Sequence, residues 1–310
     1  MIDKNNEIYS QLLKSIDIEN FSDDIAHVEI HGNQVLGLKL VEGLKVESES
    51  FDDGVNVKII VQKGIFIKNP VRFCFGLIPE NGIQKINIET ILEENSHASF
   101  IATCTFPNAK NIQHIMNASI TLNNNSSLNY FERHIHGPNG GVTIVPKTKV
   151  FIKKDAKFFT EFELIKGSAG IIDLDYEAFV EQNGIVNMKT RIFGRKDDKI
   201  NIKEKANLLG DYSVAVLTSH IALKDYADAE IINEIIADGS YSRGHVDCKE
   251  IIQDSAKAKA IPIVNVNNHL AHVTHEAAIG SVDSKQLETL LSRGLTEDEA
   301  TDLIISGLLK

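Results

Sequence analysis

Three histidines and a carboxylate, His269, His272, His275 and Glu276, crowd the stretch 269–276, and a cysteine lies upstream in Arg243-Gly244-His245-Val246-Asp247-Cys248. Thiolate, imidazole and carboxylate are soft, borderline and hard donors, a set that could hold a metal ion. Their spacing, however, fits no simple site. His269, His272 and His275 recur every third residue, which matches no single strand face. In an extended strand Cys248 shares a face with Val246 while His245 points the other way, and His275 and Glu276 oppose each other in the same manner. The bland readings are a buried small hydrophobe for Cys248 and solvated or hydrogen-bonded surface groups for the histidines. Cys74 and Cys104 fall in early strands and read as structural.

The elements that must position these donors are strands joined by repeating turns. From about residue 88 to 266 one phrase recurs: an alternating strand, a polar turn on Asn or Asp followed by a small or aromatic residue, then another strand. The turn pairs Asn95-Ser96, Asn125-Ser126, Asp155-Ala156, Asn183-Gly184 and Asp211-Tyr212 come at a near-constant interval in the solenoid range. Asp225-Tyr226, Asp238-Gly239 and Asp254-Ser255 follow at about half that period. Between the widely spaced turns lie Pro138-Asn139-Gly140, Gly167-Ser168-Ala169-Gly170 and Gly194-Arg195-Lys196-Asp197. Two strand-turn units per coil predict stacked parallel β-coils. An antiparallel barrel would not repeat the same turn at every second connection. Residues 20–85 are also strand-rich (Val35–Leu40, Val55–Val61, Gly64–Ile67) with a less regular repeat.

A solenoid's open edges need caps. Ile8, Leu12, Leu13 and Ile16 line one face of an N-terminal amphipathic helix. Asp283 with Gln286 predicts a capping box for a helix through Leu291, ended by Gly294; Thr296 with Glu299 predicts a second, with Ala300, Leu303, Ile304 and Leu308 on one face.

Composition narrows the classes. A net charge of −11 without a basic stripe argues against nucleic-acid binding. No apolar run approaches the roughly 20 residues of a bilayer span, and the polar N-terminus lacks a signal-peptide core, so a soluble, cytoplasmic protein is expected. Three scattered cysteines without CxxC spacing predict neither a disulfide framework nor a zinc ribbon. No Gly-rich phosphate loop is present, so ATP chemistry is not expected of this polypeptide.

Thr274-His275-Glu276-Ala277-Ala278-Ile279-Gly280, Asp283, Gln286-Leu287, Ser292-Arg293-Gly294-Leu295 and Glu299-Ala300 closely resemble the C-terminal signature of the SufB/SufD family, the scaffold subunits of the SUF iron-sulfur cluster assembly machinery. The resemblance is specific over the last 70 or so residues and more diffuse over the solenoid. It implies a mainly β protein with a right-handed parallel β-helix core (25–282) between N-terminal (1–24) and C-terminal (283–310) helical segments. It implies a non-enzymatic scaffold on which a transient iron-sulfur cluster is assembled, working with a sulfur donor, recipient apoproteins and a SufC-type ABC ATPase that docks on the C-terminal helices. It further implies pairing of two chains, here a homodimer, through the C-terminal end of the β-helix, and Cys248, His275 and Glu276 as cluster and metal ligands. One departure stands out: where larger B-type members carry a cysteine before the proline matching Pro262, this chain has Ala256. Two other classes remain in view, a β-helix carbohydrate-active enzyme and a simple His/Cys metal-binding protein.

Overall fold

The computed structural model describes residues 4–18, 21–22, 24–137, 140–168 and 170–309. Pro138, Asn139 and Ala169 of the expected turns lie outside them.

Helix α1 (Lys4–Ser15) precedes an irregular first section of β1 (His27–His31), β2 (Gln34–Lys39), β3 (Leu44–Phe51), β4 (Gly54–Val61) and β5 (Val71–Gly76). The regular section follows as β6 (Asn81–Leu92), β7 (His97–Phe106), β8 (Asn111–Leu122), β9 (Ser127–His136), β10 (Val142–Ile152), β11 (Lys157–Lys166), β12 (Gly170–Val180) and β13 (Ile185–Gly194). It continues with β14 (Lys199–Leu208), β15 (Val214–Leu223), β16 (Asp228–Ala237), β17 (Arg243–Ile252), β18 (Lys257–Val266) and β19 (His272–Gly280); α2 (Ser284–Leu291) and α3 (Glu297–Leu308) close the chain. Successive strands alternate between two sheets, ordered β19-β17-β15-β13-β11-β9-β7-β5-β1-β2 and β18-β16-β14-β12-β10-β8-β6-β4-β3. All neighbours are parallel except β1/β2 and β3/β4, the antiparallel hairpins that finish each sheet at its early end. The result is a parallel β-solenoid of about eight turns. Gly64–Ile67, expected as a strand, contributes only an isolated bridge from Phe66 to His97.

Alternation builds the coil. In β13, Val186, Met188, Thr190 and Ile192 enter the interior while Asn187, Lys189 and Arg191 face out. One coil takes 30 residues from His97 to its partner Ser127 and 28 from Lys157 to Ile185. One edge is a column of left-handed residues, Asn95, Asn125, Asp155, Asn183, Tyr212 and Tyr241, with φ between 55° and 59°. Asn and Asp accept this conformation readily. The two tyrosines are held there by stacking: Tyr212 N–H donates to Ser240 O at 2.9 Å, and the Tyr212 and Tyr241 rings stack with centroids 5.1 Å apart. Gly239 is required beside them, because a Cβ there would sit 2.0 Å from Gly210 O. In that coil the left-handed residue is thus Tyr241 rather than the Asp238-Gly239 pair that the sequence spacing marks.

The two ends are finished differently. Leu12 and Leu13 of α1 are buried, with Ile8 and Ile16 half-buried beside them. At the other end the expected caps form: Asp283 accepts from Gln286 N–H at 2.8 Å, Gly294 takes φ 94°, and Thr296 and Glu299 make a reciprocal capping box. These helices do not cover the last coil. Helix α3 turns back over the outer face of the sheet, where Ile305 and Leu309 pack with Phe193, Ala222 and Val282. Its buried face is Ala300, Thr301 and Ile305, and Leu303 is 52% exposed, so the apolar stripe expected from spacing is rotated toward solvent. Strands β18 and β19 therefore end their sheets with free edges.

Candidate site at the open end of the solenoid

The register of β17 against β19 places the sequence-predicted donors. Val246 pairs with His275, Asp247 with Glu276 and Cys248 with Ala277. Val246, Cys248 and Glu250 occupy the inward positions of β17, so His275, level with Val246, also points to the interior side. Cys248 and His275 are thus diagonal neighbours on one inner face, one coil apart. Cys248 is buried beneath the last coil (1% exposed), whereas His275 is exposed on β19, the end strand of its sheet. Glu276 faces outward beside Asp247, which pairs with Lys249 at 3.0 Å and His220 at 3.5 Å. His272 begins β19 on that outer face, and His269 sits in the preceding turn. His245 is outward too, sharing a 2.8 Å hydrogen bond with Thr274. One chain therefore joins two of the three expected ligands and separates the third.

Glu250 is the residue that sequence spacing did not single out. It is 2% exposed, two residues along the inner face from Cys248, and neither carboxylate oxygen has a hydrogen-bond partner. Burial, helped by Asp247, pushes its carboxyl up to about 7. A polar seam runs beneath this pair. Thr190 donates to Glu204 at 2.6 Å, Asn233 donates to Glu204 at 3.2 Å and to Ser219 at 3.1 Å, and Ser219 is the registered neighbour of Cys248. Burial raises Glu204 to about 7 despite those donors. Burial first, then Glu250, Glu204 and Asp247, pushes the Cys248 thiol up to about 12. Without a bound cation this cysteine stays protonated, so a metal binding here would have to displace the thiol proton. The signal for Glu250 was parity: it occupies the same strand face as Cys248, which matters only once that face is known to be interior.

Deeper in the solenoid a second group escaped the sequence reading. Cys104, His114 and His134 are all buried, and one donor atom from each lies within 4.8 Å of the others. It is the one such trio among the described residues. Burial, with Glu132 and Cys74, raises the Cys104 thiol well above its ordinary value. Cys74 is raised by burial with Glu29 and belongs to no such group.

Fold and end geometry together define a class: a two-sheeted parallel β-solenoid that brings Cys248 and His275 onto one inner face at its open end. Residues 79–308 match the SufBD core domain of SUF-system iron-sulfur cluster assembly. The chain is 36% identical to an iron-sulfur cluster assembly SufBD family protein of Methanocaldococcus jannaschii, over 97% of this chain and 98% of that one. It is 35% identical to a protein of the same description from Pyrococcus horikoshii, covering 98% and 92% of the two chains. The iron-sulfur cluster assembly protein SufB of Bacillus subtilis matches over 70 residues at 33% identity, 22% of this chain and 15% of that one. The chain belongs to the SufBD family of iron-sulfur cluster assembly proteins. Among the described residues, no helix is long and apolar enough to cross a membrane.

Proposed function

We propose that this chain is a non-enzymatic scaffold on which iron and sulfide are joined into a transient cluster, working as a homodimer with a SufC-type ABC ATPase. The observation that carries the reading is the convergence of Cys248 and His275 on one inner face at an uncovered solenoid end, in a chain of this family. Iron arriving there displaces the thiol proton, and inward Glu250 supplies a carboxyl able to accept it near neutral pH. One thiolate with exchangeable nitrogen and oxygen donors holds a cluster weakly, which suits transfer.

A two-fold contact through β18 and β19 fits this reading. It closes free edges without propagating into fibres, and it brings together two copies of Cys248 and His275. Glu276, outward in its own chain, would then serve an ion from the partner's side. For the ATPase, the groove of about 1090 Å³ between the last strand and the helices, with Leu290, Leu303, Ile304 and Leu308 on its wall, offers an apolar seat beside the exposed Leu303. Family membership favours this reading over a carbohydrate-active enzyme or a plain zinc protein.

Anaerobic reconstitution with iron and sulfide tests the site. The wild-type chain should hold a brown chromophore; Cys248→Ser and His275→Ala should each lower sulfide-dependent iron sharply, and Cys74→Ser should not. Normal reconstitution of Cys248→Ser would remove the thiolate assignment. Leu303→Asp should abolish co-purification with the ATPase while leaving the β circular dichroism intact. It is preferable to deleting α3, which would uncover Phe193 and Ala222.

A further inference from the structure

The trio of Cys104, His114 and His134 has features that packing does not require. Cys104 and His134 are registered partners on β7 and β9, and His114 reaches them from β8 in the opposite sheet. Hydrogen bonds fix both histidine tautomers. Gln84 spends its amide N–H groups on Gly32 O at 3.1 Å, Gly76 O at 3.3 Å and Ile30 O at 3.5 Å, so its oxygen faces His114 Nδ1 at 3.0 Å and that nitrogen must donate. Glu132 accepts from Tyr130 at 3.1 Å and Tyr176 at 3.2 Å on one oxygen, and its other oxygen faces His134 Nε2 at 2.8 Å. His134 therefore donates through Nε2. The remaining nitrogens, His114 Nε2 and His134 Nδ1, are bare lone pairs. Both are buried and neither has a hydrogen-bond partner. Buried polar atoms are rarely left this way.

We propose that Cys104 Sγ, His114 Nε2 and His134 Nδ1 form a closed binding site for one divalent, thiophilic transition ion of the Zn²⁺/Fe²⁺ type, pinning the two sheets together inside the solenoid. One thiolate and two imidazoles are three of the four ligands such an ion takes, leaving a fourth position open. Gln84 and Glu132 already hold the far ring nitrogens, as partners of metal-bound histidines do. Binding releases one proton, from the Cys104 thiol. The site is independent of the reading given to the open end, and its test can fail separately.

Because the site is sealed, the ion should enter during folding. The full chain carrying Cys248→Ser and His275→Ala is refolded anaerobically with Co²⁺ or Zn²⁺, without sulfide, and unbound ion is removed. One Co²⁺ per chain with a thiolate-to-cobalt charge-transfer band is expected. Adding Cys104→Ser should abolish the band, and Glu132→Gln should weaken Zn²⁺ binding about 10- to 100-fold. Failure of the refolded chain to retain any ion, or a band that survives Cys104→Ser, overturns the proposal. Should Cys104→Ser not fold, X-ray absorption of the Zn²⁺-loaded parent decides: one sulfur and two imidazole nitrogens support the site, and a sulfur-free shell refutes it.

Discussion

Cysteine, histidine and glutamate meet twice inside this solenoid, near its first regular coils and at its last, and the two places use them differently. Around Cys104, His114 and His134 every side chain is buried, Phe162 packs on His134 at 4.8 Å, and Glu132 draws three donors. Around Cys248 and His275 the same residue types sit beneath an unfinished edge, and Glu250 has no partner at all. The closed chamber has its donors walled in by packed side chains; the open one leaves Cys248 and His275 on an inner face at the free edge of β19. What separates them is the number of coils stacked above, since a residue's access in a solenoid depends on its neighbours in the stack.

Core truncation should separate the regions most. Phe162→Ala, at 1% exposure in the closed region, should cost about 3–5 kcal/mol in denaturant unfolding. Ile279→Ala on the open coil, 45% exposed, should stay within about 0.5 kcal/mol. Similar costs for both would mean that the last coil is covered after all.

The buried carboxyls sharpen the contrast through opposite signs. Glu204 is raised from 4.5 to about 7, so the unfolded chain releases this proton before the folded one does. The associated stability is intact below pH 4.5 and drains away as pH rises toward 7. Glu204→Gln removes that drain but must turn its own N–H₂ on Thr190 or Asn233, so its net gain at pH 8 should fall below the roughly 3 kcal/mol that the shift implies and should become a loss near pH 4. Glu132→Gln should do the reverse at pH 8 and cost about 1–3 kcal/mol, because an amide cannot accept from three converging donors without turning its own N–H₂ on one of them. Melting curves at pH 8 would show a shared sign if the chambers were electrically alike.

Thiol chemistry gives a smaller, kinetic distinction. Buried at 1% exposure with its thiol pushed up to about 12, Cys248 should be alkylated slowly at pH 7 and only as the single coil above it opens. Cys74 and Cys104 should remain unmodified until the chain unfolds. Mass mapping that finds Cys104 labelled as early as Cys248 would show that the inner chamber is not closed.

Periodicity sufficed for the architecture. The Asn and Asp turns at Asn95, Asn125, Asp155 and Asn183 adopt the left-handed conformation that lets the coil reverse, and strand alternation decides which side chains go inside. Both C-terminal capping signals are local hydrogen-bond patterns: Thr296 and Glu299 form the reciprocal box expected, and at Asp283 the cap forms through its side chain accepting from Gln286 N–H. Parity correctly separated Cys248 from His245 and His275 from Glu276, because two-residue alternation holds in any straight strand.

Other features lay beyond such local rules. Whether Cys248 and His275 share a face depends on the offset between β17 and β19, which the intervening turns and β18 determine. The meeting of Cys104, His114 and His134 depends on two sheets closing over one interior, with partners 10 and 20 residues apart along the chain brought together by the coil. The face of α3 that is buried was chosen by Phe193 and Ala222 on distant strands, not by the helix's own apolar spacing. The chain itself determined local conformation and inside-outside alternation, which depend on near neighbours. Tertiary structure alone decided which donors meet and which remain open, because those outcomes depend on register and on how many coils lie above.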